Sequence, residues 1–308
     1  MKRVFRLALA ADAVALLTVV LGSWTRINGA GLTCPDWPLC RGRLVPSLTD
    51  GTLWEWTHRL LAFAVAPLVL ALLVAAWRNR KRSPFVAPTL WVIVALFVIQ
   101  VVLGAETVRL ANVPVSVVLH WGTAMAFIAA LSAMAVFAAA SDRTLASNRH
   151  AVTSPEVGLA LALTAAAAFV TMCVGAYVSS SGAGLACLSI PGCAGNVVVY
   201  TAGQDVQMLH RVAAAITLVL AAAALALAWA RPAATRTRAA AAVGVGLIAV
   251  QILLGLLNVA LRLPVDLREA HAVNAAFAFL AFFVAGIFAM LDSVPRGASR
   301  LTTNGAQR

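Results

Sequence analysis

Charge is scarce in this chain. Of 308 residues only 11% are Asp, Glu, Lys or Arg, while 62% are hydrophobic. A soluble domain runs at about half apolar and a quarter charged, so a water-soluble globular fold is excluded. Acidic side chains are scarcer still, 11 against 23 basic ones. Cysteine and histidine number five each. No Cys-x-x-Cys-His run is among them, so covalent c-type haem is not implied.

What is present instead is apolar length. Eight runs of roughly 20 residues, each able to cross a bilayer core, fall at about 5–24, 57–77, 85–105, 118–140, 157–178, 208–230, 239–260 and 269–291. The first follows Lys2, Arg3 and Arg6, as a signal peptide would. It is too long for a signal h-region and has a counterpart in the second half, so it reads as a true span. Basic residues between spans set the orientation. Lys2, Arg3, Arg6, Arg78, Arg80, Lys81, Arg82, Arg143, Arg149, Arg231, Arg236, Arg238, Arg296, Arg300 and Arg308 share one side, 15 of the 23. That side, with both termini, is predicted to be cytoplasmic in a cell membrane. The net charge of +12 is then an orientation signal and a contact for anionic membrane lipid, not a nucleic-acid footprint.

The chain also repeats itself. Gly29-Ala30-Gly31-Leu32-Thr33-Cys34, running to Pro38 and Cys40, returns as Gly182-Ala183-Gly184-Leu185-Ala186-Cys187, running to Pro191 and Cys193, an offset of 153 residues. A His-Arg pair follows each copy, His58-Arg59 and His210-Arg211. A Gln-x-x-Leu-Gly segment comes next, Gln100 to Gly104 and Gln251 to Gly255, and then a second histidine, His120 and His271. Self-similarity of this kind marks a tandem duplication. The expected fold is all-α and integral to the membrane: eight transmembrane helices as two tandem, pseudo-symmetric four-helix bundles, 1–150 and 151–308.

Two cysteines six positions apart on an oxidising face favour a disulfide, Cys34–Cys40 and again Cys187–Cys193, with a redox-active dithiol as the alternative. Neither loop offers the further ligands of a zinc site. Trp37, Trp54 and Trp56 are placed as interfacial anchors. The four repeated histidines lie at matched depth near the outer ends of their spans. Imidazole pairs from facing helices hold haem iron through two axial ligands; another metal or a packing role is the competing account. Arg59 and Arg211 are equally suited to haem propionates and to snorkelling. Asp12, Cys173 and His150 read as a packed carboxylate, a small buried hydrophobe and a solvated loop residue.

One difference separates the halves. Glu55 shares a helix face with His58, whereas the matching position before His210 is Gln207. A carboxylate in an apolar site can move a proton or stabilise a cation; an amide cannot carry a proton. The N-terminal half is therefore expected to do chemistry and the C-terminal half to hold a fixed haem. A helix-start carboxylate favoured by the dipole is the plainer account of Glu55.

Eight spans in two halves, Gly-Ala-Gly-Leu-Thr-Cys-Pro-Asp-Trp-Pro-Leu-Cys in the first loop and Glu-x-x-His at the second span resemble the haem A synthase family, over nearly all of the chain to about residue 290. The resemblance implies an oxidoreductase that turns the C8 methyl of haem O into a formyl group by successive hydroxylations, making haem A for terminal oxidases. It implies that His58 and His120 serve the substrate haem, that His210 and His271 ligate a cofactor haem b, and that Glu55 is catalytic. For Cys34 and Cys40 it implies either a disulfide or a catalytic role. The partners it implies are haem O, membrane lipid, haem O synthase and terminal oxidase assembly factors, with a homo-oligomer also allowed for. Histidine at both axial positions argues against ordinary oxygen activation, which needs an open position. Stepwise electron withdrawal, with water capturing a cation beside Glu55, is the expected route.

Two other classes compete. A di-haem, quinol-linked electron-transfer protein explains the histidines but not the Glu55/Gln207 difference. A thiol-disulfide oxidoreductase would need a low-pKa, exposed cysteine and a helix-borne Cys-x-x-Cys, and only Cys-x5-Cys loops are present.

Overall fold

The apolar runs dictate helices, because a backbone in hydrocarbon must satisfy its own hydrogen bonds. A computed structural model describes residues 1–141, 152–189, 191–193 and 201–293; His150 lies outside the described residues. The helices are α1 (Lys2–Ile27), α2 (Thr52–Asn79), α3 (Val86–Arg109), α4 (Pro114–Ala140), α5 (Pro155–Ser180), α6 (Ala202–Ala230), α7 (Thr235–Ala260) and α8 (Val265–Asp292). All eight are long and apolar enough to cross a membrane. Among the described residues there is no strand, only an isolated bridge between Cys40 and Arg43.

Local chemistry sets several boundaries. Proline opens α4 and α5 at Pro114 and Pro155, where its missing N–H costs nothing. Thr201 caps α6, its hydroxyl accepting the Gln204 N–H at 3.3 Å. Each apolar run lies inside its helix to within one residue. The helices run on by about a turn at the end that carries the two Cys loops, as in α2, α3, α6 and α8.

Packing follows the same cycle twice. Helix α1 lies against α2 and α4, and α3 against α2 and α4; α5 lies against α6 and α8, and α7 against α6 and α8. The two sets meet where α4 touches α5 and α8, and where α1 touches α8. Helix α4 is the most enclosed, burying Met125, Ile128, Leu131 and Met134 completely against α1 and its neighbours. A second cluster around Val157, Leu161, Ala224 and Phe282 fills the other set. Small residues line both clusters, which lets helices approach where lipid gives no hydrophobic push. Asp12 accepts the Ser132 hydroxyl of α4 at 2.8 Å, and Cys173 is a free thiol whose sulfur abuts Gly122.

Candidate functional site

The first turn of α2 and the first turns of α6 carry the machinery that holds the loops. Cys34 and Cys40 form a disulfide, and so do Cys187 and Cys193, each with Cα atoms 4.6 Å apart. The residue three before each histidine then grips its loop. Glu55, buried, accepts the Cys34 N–H at 2.8 Å and the Thr33 hydroxyl at 2.9 Å. Gln207, equally buried, accepts the Cys187 N–H at 2.6 Å and donates its amide to the Gly184 carbonyl at 2.9 Å. The bond to the cysteine N–H is thus conserved in kind between carboxylate and amide. The first half adds a charge, and Arg59 Nη2 meets Glu55 Oε1 at 2.7 Å.

The arginines complete the grip. Arg59 donates to the carbonyls of Cys34 (2.7 Å), Asp36 (2.5 Å) and Leu39 (2.5 Å). Arg211 donates to those of Cys187 (2.8 Å), Ser189 (2.7 Å), Gly192 (2.8 Å) and Pro191 (3.2 Å). Cys34, Asp36 and Leu39 correspond to Cys187, Ser189 and Gly192 at the repeat offset. A planar fork with five donors suits such a cluster of carbonyls, and it satisfies backbone that no strand or helix would otherwise pair. Asp36 and Ser189 each close a turn, by different chemistry: the Asp36 carboxylate accepts the N–H of Gly42 at 2.7 Å and of Arg41 at 2.5 Å, whereas the Ser189 hydroxyl donates to the Gly192 carbonyl at 3.2 Å. The Gly42 bond, followed by that of Arg41, holds the Asp36 carboxyl below the ordinary aspartate range. Trp56 anchors the same loop by donating to the Leu44 carbonyl at 2.9 Å, while Trp54 packs edge-on against Trp24.

Below the loops stand the histidines. His58 Nδ1 donates to the Thr18 carbonyl at 2.9 Å, and His210 Nδ1 to the Thr171 carbonyl at 3.2 Å. Thr18 and Thr171 are 153 positions apart. Each bond fixes the tautomer with hydrogen on Nδ1 and leaves the Nε2 lone pair free, the usual second bond of a metal-bound imidazole. The rings of His210 and His271 have centroids 6.4 Å apart and planes at 69°. One ring nitrogen each of His120 and His271 is buried without a partner.

A residue type that the sequence reading quoted without a role proves to be part of this arrangement. A Cβ built on Gly22 would stand 2.6 Å from the His58 ring, on Gly175 2.9 Å from His210, and on Gly104 and Gly255 3.2 Å from His120 and His271. Every histidine of the four thus lies against a glycine, closely enough at Gly22 and Gly175 that any side chain would displace the ring, and tightly at Gly104 and Gly255. The signal was available: Gly104 and Gly255 end the two Gln-x-x-Leu-Gly segments, and Gly22 and Gly175 recur at 153. The glutamines of those segments sit beside the same histidines. Gln251 donates to the His271 carbonyl at 3.0 Å, and Gln100 Nε2 lies 3.4 Å from His120 Nε2.

His210 and His271 fit a bis-imidazole iron. Bonds of about 2 Å from a metal to each nitrogen put two facing ring centroids a little over 6 Å apart, the separation of His210 and His271. Among the described residues no group of three or more His, Cys, Asp or Glu could hold a bare ion; an iron already carried by a porphyrin needs only the two axial ligands.

The chain matches a protein-family model described as cytochrome oxidase assembly protein, COX15-CtaA, over residues 5–51 and 49–283. Relatives named "Heme A synthase" are similar over much of its length. That of Bacillus pumilus is 31% identical over 215 residues, 67% of this chain and 68% of its own. That of Symbiobacterium thermophilum is 30% identical over 226 residues, 71% of this chain and 73% of its own. That of Shewanella oneidensis is 27% identical over 316 residues, 89% of this chain and 92% of its own.

Proposed function

Because the chain belongs to the COX15-CtaA family of cytochrome oxidase assembly proteins, we propose that it is a haem A synthase, an oxidoreductase that converts the C8 methyl of haem O to a formyl group. The observation that carries this reading is the twofold set of histidines, each seated against a glycine and two of them anchored on a threonine carbonyl. His58 and His120 would hold the substrate haem O, and His210 and His271 would hold a resident haem b, a group that would supply one-electron redox chemistry. The two helix cycles are two tandem halves, 1–150 for chemistry and 151–308 for the resident haem. The termini are cytoplasmic and the Cys loops face outward, as the positive residues argue.

Converting the methyl to an alcohol adds the oxygen of water and releases two protons and two electrons, the electrons passing to a redox acceptor outside the chain. A second such oxidation gives a geminal diol, which loses water to leave the aldehyde. Glu55 is the one buried acid of the clamp, and its amide counterpart Gln207 cannot take a proton. Held by Thr33, Cys34 and Arg59, it can receive a proton when one of these donors withdraws, or balance positive charge on the substrate. The disulfides close the loops over this end, and Cys34–Cys40 lies against Glu55 through the Cys34 N–H.

The test is expression in a host that makes haem O but no haem A, followed by haem extraction, chromatography and a reduced pyridine spectrum. Haem A or its hydroxymethyl precursor is expected with the natural chain and lost with Glu55→Gln. Haem b alone, with haem O untouched by the natural chain, would move the assignment to electron transfer. Labelled water is expected to leave its isotope in the hydroxymethyl product; label arriving only from oxygen gas would overturn the water-capture route.

A further inference from the structure

A cavity of about 310 Å³ opens at the Cys-loop end, where the two helix sets meet. Its wall carries Arg26 of α1, Asn112 beyond α3, Ser179 of α5 and Arg268 of α8. Arg26 Nη2 donates to Ser179 Oγ at 3.1 Å. Arg26 and Arg268 share the wall of this one recess, so two like charges face a single space, and Glu269 follows Arg268 in the chain. Glu269 is buried, and neither of its carboxylate oxygens has a hydrogen-bond partner among the described residues. Two cations against one carboxylate leave the recess positive.

This charge is not a product of the duplication. The positions matching Arg26, Asn112 and Arg268 at the repeat offsets are Ser179, Leu263 and Val117. Ser179, the counterpart of Arg26, lines the same recess, so one half brings an arginine where the other brings a serine. Its depth is also specific. Arg26 lies four residues beyond Gly22, where His58 is seated, and Ser179 four beyond Gly175, where His210 is seated. Arg268 lies three residues before His271. A helical turn rises about 5.4 Å, so the recess sits a single turn beyond three of the four histidine positions. Arg59 and Arg211, meanwhile, have their terminal N–H groups committed to loop carbonyls.

We propose that this recess binds the carboxylates of a porphyrin held by the histidine pairs. Arg26 and Arg268 supply charge-assisted hydrogen bonds, the stronger kind, and Asn112 and Ser179 supply neutral ones. A bound carboxylate also relieves the repulsion between the two guanidiniums. The proposal rests on the haem-binding reading of the histidines but not on the synthase reaction.

The test is the midpoint potential of the haem in full-length protein, followed between about pH 6 and 8. A propionate paired with two arginines stays ionised there, so the natural chain gives a nearly flat profile. Arg268→Gln removes one partner and raises the propionate pKa towards neutrality. The potential is expected to fall with rising pH, as the reduced form takes up a proton, while Arg268→Lys keeps the flat profile. Arg26→Lys is the companion variant, since Arg26→Gln would leave Glu269 uncompensated and risks misfolding. Glu269 is the other titratable group at Arg26, so the series is repeated on Glu269→Gln. Protein from a host without haem O reports the resident haem, and protein from a host making haem O reports both, which tells whose carboxylate is bound. A flat profile in every variant overturns the proposal, as does a slope that disappears with Glu269→Gln. A flat, intact profile in a protein that forms no haem A would remove the synthase reading and leave the recess standing.

Discussion

Gly22 leaves no room for a side chain against His58: a Cβ there would stand 2.6 Å from the ring Cε1. Alanine inside a helix normally gains about 1 kcal/mol over glycine, so Gly→Ala at an indifferent position would stabilise the chain. Gly22→Ala and Gly175→Ala are instead expected to lower haem content and thermal stability together. Gly104→Ala and Gly255→Ala, where the contact is 3.2 Å, should do so less. Haem absorbance per protein and Tm measure both; a raised Tm with full haem would contradict the notch.

Glu55→Gln recreates the clamp of the second half, since Gln207 keeps the bond to its cysteine N–H. The variant is expected to fold and bind haem but to lose product formation by about 10²-fold or more, the range of a lost acid–base group. Glu55→Ala leaves the Cys34 N–H and the Thr33 hydroxyl without their acceptor and should cost a further 1–3 kcal/mol or so of stability. Product chromatography and Tm, taken on both variants, separate chemistry from support.

Each disulfide closes a short ring. The chain-entropy relation for so few residues gives about 2 kcal/mol. Cys187→Ser with Cys193→Ser is expected to lower stability by that order while leaving activity near normal, because that half carries no acid beside the bridge. Cys34→Ser with Cys40→Ser should lower stability similarly and activity as well. Equal retention of activity in both double variants would separate the first bridge from the chemistry.

Acid should act on one loop and not the other. The Asp36 carboxyl is held below the ordinary aspartate range, so its contribution is present above the unfolded pKa, about 4. It is lost as pH falls through the lower folded value. Ser189, in the same place of the second loop, has no such titration. Limited proteolysis between about pH 3 and 6 is expected to show cleavage within residues 34–43 rising in acid, and Asp36→Asn should abolish that dependence.

Much of this architecture is legible in the residues alone. Apolar length marks all eight helices, because hydrocarbon leaves the backbone no other choice. The boundaries at the Cys-loop end are read about a turn short, since Thr52, Glu55, Gln204 and Arg268 are polar and a hydropathy pattern stops before them. The arginines show a different limit. Arg59 and Arg211 invite a reading as propionate or headgroup contacts because a sequence shows a charge without its neighbours, and six loop carbonyls in matching places leave no signature of their own. The histidine notches were half visible. Repetition singled out Gly104 and Gly255, but only the packing of α3 on α4 and α7 on α8 reveals what they leave room for.

The clamp has a mechanical consequence. Glu55, His58 and Arg59 share little more than one turn of α2, and the outer two grasp the loop while the middle one is bonded to the Thr18 carbonyl of α1. Gln207, His210 and Arg211 repeat the linkage on α6. Loop and ring are therefore joined like a tendon to its bone, through a single turn of helix. Resistance of residues 33–43 and 186–189 to protease is then expected to rise when the histidines beneath are occupied.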